Sequence, residues 1–117
     1  MKVLKFDEEH IPSVKEGSKR TTWRIDTENF QAYYNPLDKI KLQDSEGATF
    51  GIGQILWTKS ATIATLSKED MKYHESYDTI TDIVDALNKY YPGKEIEPTT
   101  EVKVIRFIYT RDAGDPK

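Results

Sequence analysis

Within Gly17-Ser18-Lys19-Arg20-Thr21-Thr22-Trp23-Arg24, three cations and three hydroxyls fall in eight residues. An amine beside a hydroxyl is a nucleophile-and-base arrangement when the amine is partly neutral. Burial, and the neighbouring cations Arg20 and Arg24, both push a lysine toward its neutral form. Lys19 is therefore a candidate base and Thr22 its candidate hydroxyl partner, while Arg24 is suited to hold a carbonyl or phosphate oxygen. A phosphate loop is excluded. That loop needs Gly, four residues, then Gly-Lys-[Ser/Thr], running from a strand into a helix. Here Ser18 splits Gly17 from Lys19, and the run leads from a helix into a strand. The same residue types also make an ordinary solvated cationic turn, and on these eight residues alone that alternative stays open.

The elements around the run must position it. Val3, Leu4 and Phe6 read as a short first strand, and Asp7 to Glu16 as a short helix with Ile11 and Val14 on one face. Pro12 fits only the first turn of that helix, and Gly17 is its natural stop. Thr21 to Ile25 read as a strand, which places Thr22 and Arg24 on one face and Thr21 and Trp23 on the other. A polar, aromatic loop follows through Tyr33, Tyr34, Asn35 and Pro36. Asp38 to Leu42 alternates as a half-buried strand. Thr49 to Trp57 reads as another, with Gly51 and Gly53 marking a bend or bulge. Thr62-Ile63-Ala64 is expected to be a further short strand. Ser67-Lys68-Glu69-Asp70 and Thr79-Ile80-Thr81-Asp82 are near capping boxes that open two helices. The second carries the stripe Ile80, Ile83, Val84, Leu87 and Tyr91 and ends at Pro92-Gly93. Val102 to Tyr109 is apolar on both faces apart from Lys103 and Arg106, which predicts a central strand. Strands and helices alternate too irregularly for a doubly wound sheet. The expected class is α+β: a small, mostly antiparallel β-barrel with flanking helices, one domain over 1–110 and a loose tail over 111–117.

Composition narrows the function classes. A chain of 117 residues, 37% hydrophobic and 32% charged, fits one soluble globular domain. No run approaches the ~20 apolar residues of a membrane span, and no apolar segment follows Met1-Lys2 to make a signal peptide. The absence of cysteine removes disulfides, thiolate zinc sites and thiol catalysis, and fits a cytoplasmic location. Two histidines, His10 and His74, are too few for a histidine-built metal site. Neither metal nor cofactor is expected. A net charge of −3 argues against coating nucleic acid non-specifically. Lys15, Lys19, Arg20 and Arg24 crowd one region, so a nucleotide or short single strand is the more fitting nucleic-acid partner.

GSKRTTWR resembles the Gly-x-Lys-x-x-[Thr]-x-Arg signature of ASCH domains, small members of the PUA-like barrel superfamily. The resemblance spans nearly the whole chain: the helix before Gly17, Pro36-Leu37-Asp38, the Leu66-Ser67 helix entry, Glu75-Ser76, Tyr91-Pro92-Gly93 and the final Val104-Ile105-Arg106-Phe107 strand. It implies a PUA-like barrel with a cleft for RNA or a small nucleoside, walled by Gly17, Ser18, Arg20, Trp23 and Arg24. One branch is a bacterial N4-acetylcytidine amidohydrolase. By that analogy Lys19 would be the base, Thr22 the nucleophile on the acetyl carbonyl, and Glu75 the proton donor to the leaving amine. Amide cleavage needs both an activated nucleophile and a protonated leaving group. Non-catalytic RNA binding and RNA cleavage are the other functions the resemblance implies.

Weaker candidates each carry a plainer reading. Trp23 and Trp57 suit base stacking but also core packing, and Tyr33, Tyr34 and Tyr73 suit a pocket wall or ordinary packing. His74 beside Glu75 suits proton transfer or a structural role. Glu69 and Asp70 complement a helix dipole better than they bind metal.

Overall fold

The computed structural model describes residues 2–25 and 34–114. Tyr33, one of the expected wall tyrosines, lies outside the described residues. The first strand, β1, is Lys2–Lys5. A 3-10 turn, Glu8–His10, then leads into helix α1, Ile11–Glu16. Pro12 sits in the first turn of α1, where its missing N–H is no loss, and Gly17 stops the helix at φ 91°. Strand β2 is Thr21–Arg24, β3 is Lys39–Gln43 and β4 is Thr49–Thr62. Helix α2 is Lys68–Met71 and α3 is Ile80–Tyr90, and β5, Glu101–Asp112, closes the chain.

These strands form one curled five-stranded sheet in the order β1-β3-β4-β5-β2. Only β1 and β3 run parallel; the remaining pairs are antiparallel. The class is α+β, and the sheet is a half-barrel with β1 and β2 at its two edges. Its curl has local causes. The register shifts in β4 between Ile52 and Gly53 and between Ile55 and Trp57, and each bulge bends the strand and increases its twist. Gly53 is required at the first of these, because a Cβ there would lie 2.7 Å from the Ile108 carbonyl oxygen.

Strand β5 is buried on both faces, as its sequence predicts. Ile105 and Phe107 join Leu4, Val14, Ile40, Leu42 and Ile55 in one apolar cluster under α1. Val102 and Val104 join Trp23, Ile63, Ile83 and Leu87 in a second cluster under α3. Of the α3 stripe, Ile83 and Leu87 face inward, whereas Ile80 is exposed. Burying each inward side chain stabilises the fold by about 1.5–3 kcal/mol. Edge strand β2 lies where the two clusters meet, with Trp23 in one and Thr22 opposite Ile105 of the other.

Two expectations are corrected. Ile63–Thr65 is a 3-10 turn rather than a strand, because the Thr62 and Thr65 side chains cap it reciprocally. The chain does not loosen at 111: Arg111 and Asp112 still pair with Ile52 and Gly51 of β4. Among the described residues no helix is long and apolar enough to cross a membrane.

Candidate active site

Gly17 turns the chain so that its own N–H returns to Ser13 and Val14, and the Lys19 N–H also closes on the Ser13 carbonyl at 3.0 Å. That knot delivers the Lys19 side chain inward, where only 4% of the residue is exposed. Ser18 and Arg20 turn the other way. Ser18 Oγ donates to Glu16 at 2.7 Å. Arg20 Nε donates back to the Gly17 carbonyl, and its guanidinium lies over Tyr73.

The partner segment is fastened to β2 and β5 through its carbonyls. Helix α2 is a single turn, so most of its last carbonyls take donors from outside the helix. Trp23 Nε1 donates to the Asp70 carbonyl at 3.0 Å, and Thr21 Oγ1 to that of Lys72 at 2.5 Å. Arg106 Nη2 donates to the Glu69 carbonyl, and its Nε to Thr21 Oγ1. The Tyr73 carbonyl accepts both the Arg20 and the Thr21 N–H. Tyr73 itself is held at φ 59°, a left-handed conformation that is costly for a bulky residue. That turn aims His74 and Glu75 at the inner end of β2. At the start of α2, Asp70 accepts from the Ser67 N–H and pairs with Lys59 at 2.8 Å, so it serves as a capping acid.

Glu75 therefore meets Lys19: Nζ donates to Oε2 at 3.0 Å and also to the Thr21 carbonyl at 3.2 Å. Both lie on a cavity of about 210 Å³, which Thr22, Arg24 and Trp23 line with them. Gly17, Ser18 and Arg20, expected in its wall, do not line it. Burial pushes the Lys19 amine below its ordinary value, with Arg24 adding to the shift and Glu75 opposing it. The second cation is thus Arg24, since Arg20 faces away. Burial pushes the Glu75 carboxyl up, but Lys19, His74 and His10 more than offset this and hold it below its usual value.

Thr22 shares the cavity but not the lysine. Its Oγ1 accepts from Arg24 Nε at 2.9 Å, and Lys19 points instead at Thr21 and Glu75. The Arg24 guanidinium sits over the Phe6 ring. Burial lowers its proton affinity, although a guanidinium stays charged in any protein setting. No carboxylate pairs with it among the described residues. Trp23 is no open stacking platform: it is buried, with His74 stacked flat against it at 3.8 Å. Trp57 carries the Arg106 guanidinium on its face. Tyr34 donates to the Val3 carbonyl and packs on the first cluster, while Tyr73 gathers Arg20, Lys72 and Arg106 outside the cavity.

His74 is neutral. Burial first, and then Lys19, push it down to about 4. Its Nδ1 lies 3.1 Å from the Glu75 carbonyl, and because a carbonyl only accepts, Nδ1 carries the hydrogen. The site also takes in His10, Tyr77, Tyr90 and Tyr91. Of these, only Tyr91 had a sequence signal, as the end of the α3 stripe. Among the described residues no group of three or more His, Asp or Glu is arranged to hold a metal ion.

No family model matches the chain, and no curated protein does. Solved structures do. The hypothetical protein PH0355 superposes with TM-score 0.69 at 22% identity, covering 94% of this chain and 100% of its own. The ASCH domain of Lactobacillus crispatus gives 0.64 at 12% identity, over 86% of this chain and 69% of that one. A mutant of an ASCH protein from Zymomonas mobilis gives 0.62 at 12%, over 94% and 70%. These likenesses establish the fold: the chain shares the fold of these ASCH-domain structures.

Proposed function

We propose that an ASCH-type cleft built in this way binds a nucleoside and hydrolyses an acyl amide on its base, with N4-acetylcytidine as the substrate that fits the reaction. The observation that carries the reading is the Lys19–Glu75 contact of 3.0 Å in the cavity that Thr22 lines. Amide cleavage needs a base for the nucleophile and an acid for the leaving amine. Moving one proton along the Lys19–Glu75 hydrogen bond turns the ion pair into a free amine and a carboxylic acid. The two groups thus supply both roles at no change in total charge.

The steps balance on this chain's own residues. The Lys19 amine takes the Thr22 hydroxyl proton as the Thr22 oxygen attacks the acetyl carbonyl. Arg24, beside Thr22 and with no carboxylate paired to it among the described residues, faces the negative charge that develops on that carbonyl oxygen. The C–N bond then breaks, the amine takes the Glu75 proton, and cytidine leaves with the acetyl group on Thr22. Water attacks the acetyl ester and gives a proton to Glu75. Acetic acid departs as Lys19 returns its proton to Thr22, and it ionises to acetate in solvent. Positioned acid and base groups contribute roughly 10²–10⁴-fold each in such reactions.

The test is to incubate purified protein with N4-acetylcytidine and follow cytidine and acetate by chromatography. Turnover that falls at least ~100-fold in Lys19→Ala and Glu75→Gln supports the reading. No cytidine, under conditions where an active control enzyme works, removes it. One observation favours a second reading, binding of RNA or a nucleoside without catalysis: the Thr22 hydroxyl is taken by Arg24 rather than Lys19. In that case cytidine or a short single-stranded RNA binds, Arg24→Ala weakens binding, and no acetate forms.

A further inference from the structure

Arg20, Trp57 and Tyr73 suit nucleic acid by residue type, yet none of them lines the cleft. The fold gathers them at a second place, around the Tyr73 ring. The Arg20 guanidinium lies 4.9 Å from the centroid of that ring, the Arg106 guanidinium 5.2 Å and Lys72 Nζ 5.3 Å. The Arg106 guanidinium also lies 4.9 Å from the Trp57 centroid, so it joins the two aromatics. Tyr73 is 37% exposed, and Trp57 is half-buried.

The three cations differ in what they have left to offer. Arg106 is spent: Nε donates to Thr21 Oγ1, Nη2 to the Glu69 carbonyl, and Nη1 lies 3.5 Å from Glu69 Oε1. Arg20 uses only Nε, on the Gly17 carbonyl, which leaves the N–H groups of both Nη atoms open. Lys72 Nζ makes no hydrogen bond, and no carboxylate pairs with Arg20 or Lys72 among the described residues. Open guanidinium and ammonium donors take phosphate oxygens, and exposed rings or guanidinium planes stack on bases. Cations beside aromatic rings are the combination that holds single-stranded nucleic acid. An acidic peptide would use the cations and leave the rings idle. The groove next to the cleft cannot serve phosphates instead, because Asp7, Glu9, Asp82 and Asp85 line it against one cation, Lys89.

We propose that Arg20, Lys72, Tyr73 and Trp57 form a binding surface for single-stranded RNA outside the cleft, with Arg20 and Lys72 on phosphates and the two rings stacking on bases. The Tyr73 carbonyl holds the Arg20 and Thr21 N–H groups, so the left-handed turn that aims Glu75 inward also presents this ring outward. The surface stands whether or not the cleft cleaves N4-acetylcytidine.

The experiment follows a short fluorescein-labelled single-stranded RNA of mixed sequence by anisotropy, across a series of KCl concentrations and without acetylcytidine. The wild-type chain is compared with Arg20→Gln, Lys72→Gln, Tyr73→Asn and Arg24→Ala. Each of the first two should weaken binding and reduce the slope of log K against log salt by about 0.7, the share of one single-strand phosphate contact. Asparagine tolerates the left-handed backbone, so Tyr73→Asn keeps the turn and removes the ring. It should weaken binding at least about fivefold, the low end for one base–aromatic stack, with a smaller change in slope. Absence of salt-sensitive binding by the wild-type chain overturns the proposal. Wild-type affinity and slope in folded Lys72→Gln and Tyr73→Asn also overturn it, and Lys72→Gln removes no hydrogen bond that folding needs. Loss of binding in Arg24→Ala alone places the strand in the cleft and overturns it as well. Inorganic phosphate or polyglutamate competing as strongly as unlabelled RNA overturns it in favour of a free-phosphate site or an acidic peptide. Weakened RNA binding in these variants, in a chain that leaves N4-acetylcytidine intact, supports the surface while removing the proposed reaction.

Discussion

The Trp23 indole and the His74 imidazole lie flat against each other, 3.8 Å between centroids and 12° apart in plane. The stack joins β2 to the segment that carries Glu75, since His74 is the preceding residue and its ring nitrogen faces the Glu75 carbonyl. The indole N–H is spent on the Asp70 carbonyl, so Trp23 grips that segment at two points four residues apart. Packing in the second apolar cluster and positioning in the cleft are therefore one interaction at this residue.

Trp23→Ala should then lose on both counts. Removing a buried tryptophan costs about 3–5 kcal/mol, and equilibrium urea unfolding should show a loss of that size. Trp23→Phe keeps a ring for His74 but no N–H for Asp70, and should cost about 1–2 kcal/mol. A loss below ~1 kcal/mol for Trp23→Ala would mean that the stack does not hold the segment.

The stack also dictates a pH dependence. His74 titrates at about 4 when folded, against 6.5 for the free side chain. Between these values the unfolded chain binds a proton that the folded chain refuses, so stability rises with pH across that window and falls as pH drops from 6.5 toward 4. The difference is worth about 3 kcal/mol. Glu75 adds a slope of the same sign at lower pH: its depressed carboxyl stabilises the fold above its unfolded value, and that gain is lost on acidification. Urea midpoints of the wild-type chain should decline through this range. In His74→Phe, which retains the stack but cannot titrate, the decline between pH 6.5 and 4 should largely disappear. An unchanged slope would assign the titration to another group.

Gly17 links backbone conformation to the lysine. At φ 91°, a side chain is strained, and a Cβ would also lie 3.3 Å from Arg20 Nη2. Gly17→Ala should destabilise by about 1–2 kcal/mol and, by loosening the turn, move the Lys19 amine away from Glu75. Lysine NMR titration reads this directly. Glu75 favours the charged amine, so a longer contact must lower the Lys19 midpoint further. A thermal shift with no change at Lys19 would make Gly17 a helix stop and nothing more.

Local physics wrote much of this structure into the sequence. The stop at Gly17, the caps at Ser67 and Thr79, and the two-faced burial of β5 follow from residue types a few positions apart, and each is present. The face alternation of β2 was equally legible, so Thr22 with Arg24 could be separated from Thr21 with Trp23. What could not be read was set by distant partners. Arg20 and Arg24 are alike by type, and only the Gly17 carbonyl and the Tyr73 ring turn Arg20 outward. His10 meets a tyrosine 80 residues away, a contact without a local pattern. Ile63 carries a strand-like side chain, but the threonine hydroxyls on either side of it cap a turn instead.

Thr22 separates the catalytic reading from simple binding. Its hydroxyl accepts from Arg24 Nε, a bond that would also steady an alkoxide there, since hydrogen bonds to a charged acceptor are stronger than neutral ones. Thr22→Ser keeps the oxygen and should retain turnover of N4-acetylcytidine within about tenfold. Thr22→Val keeps the shape, removes the nucleophile and should abolish acetyl release while leaving cytidine affinity within a few-fold, because the lost hydroxyl is worth only about 1 kcal/mol in binding. An acetylated Thr22, trapped by acid quench and located by peptide mass spectrometry in the wild-type chain, should be missing from Thr22→Val. If Thr22→Val still releases acetate at the wild-type rate, Thr22 is wall rather than nucleophile, and the attacking oxygen must be water activated directly by Lys19 and Glu75.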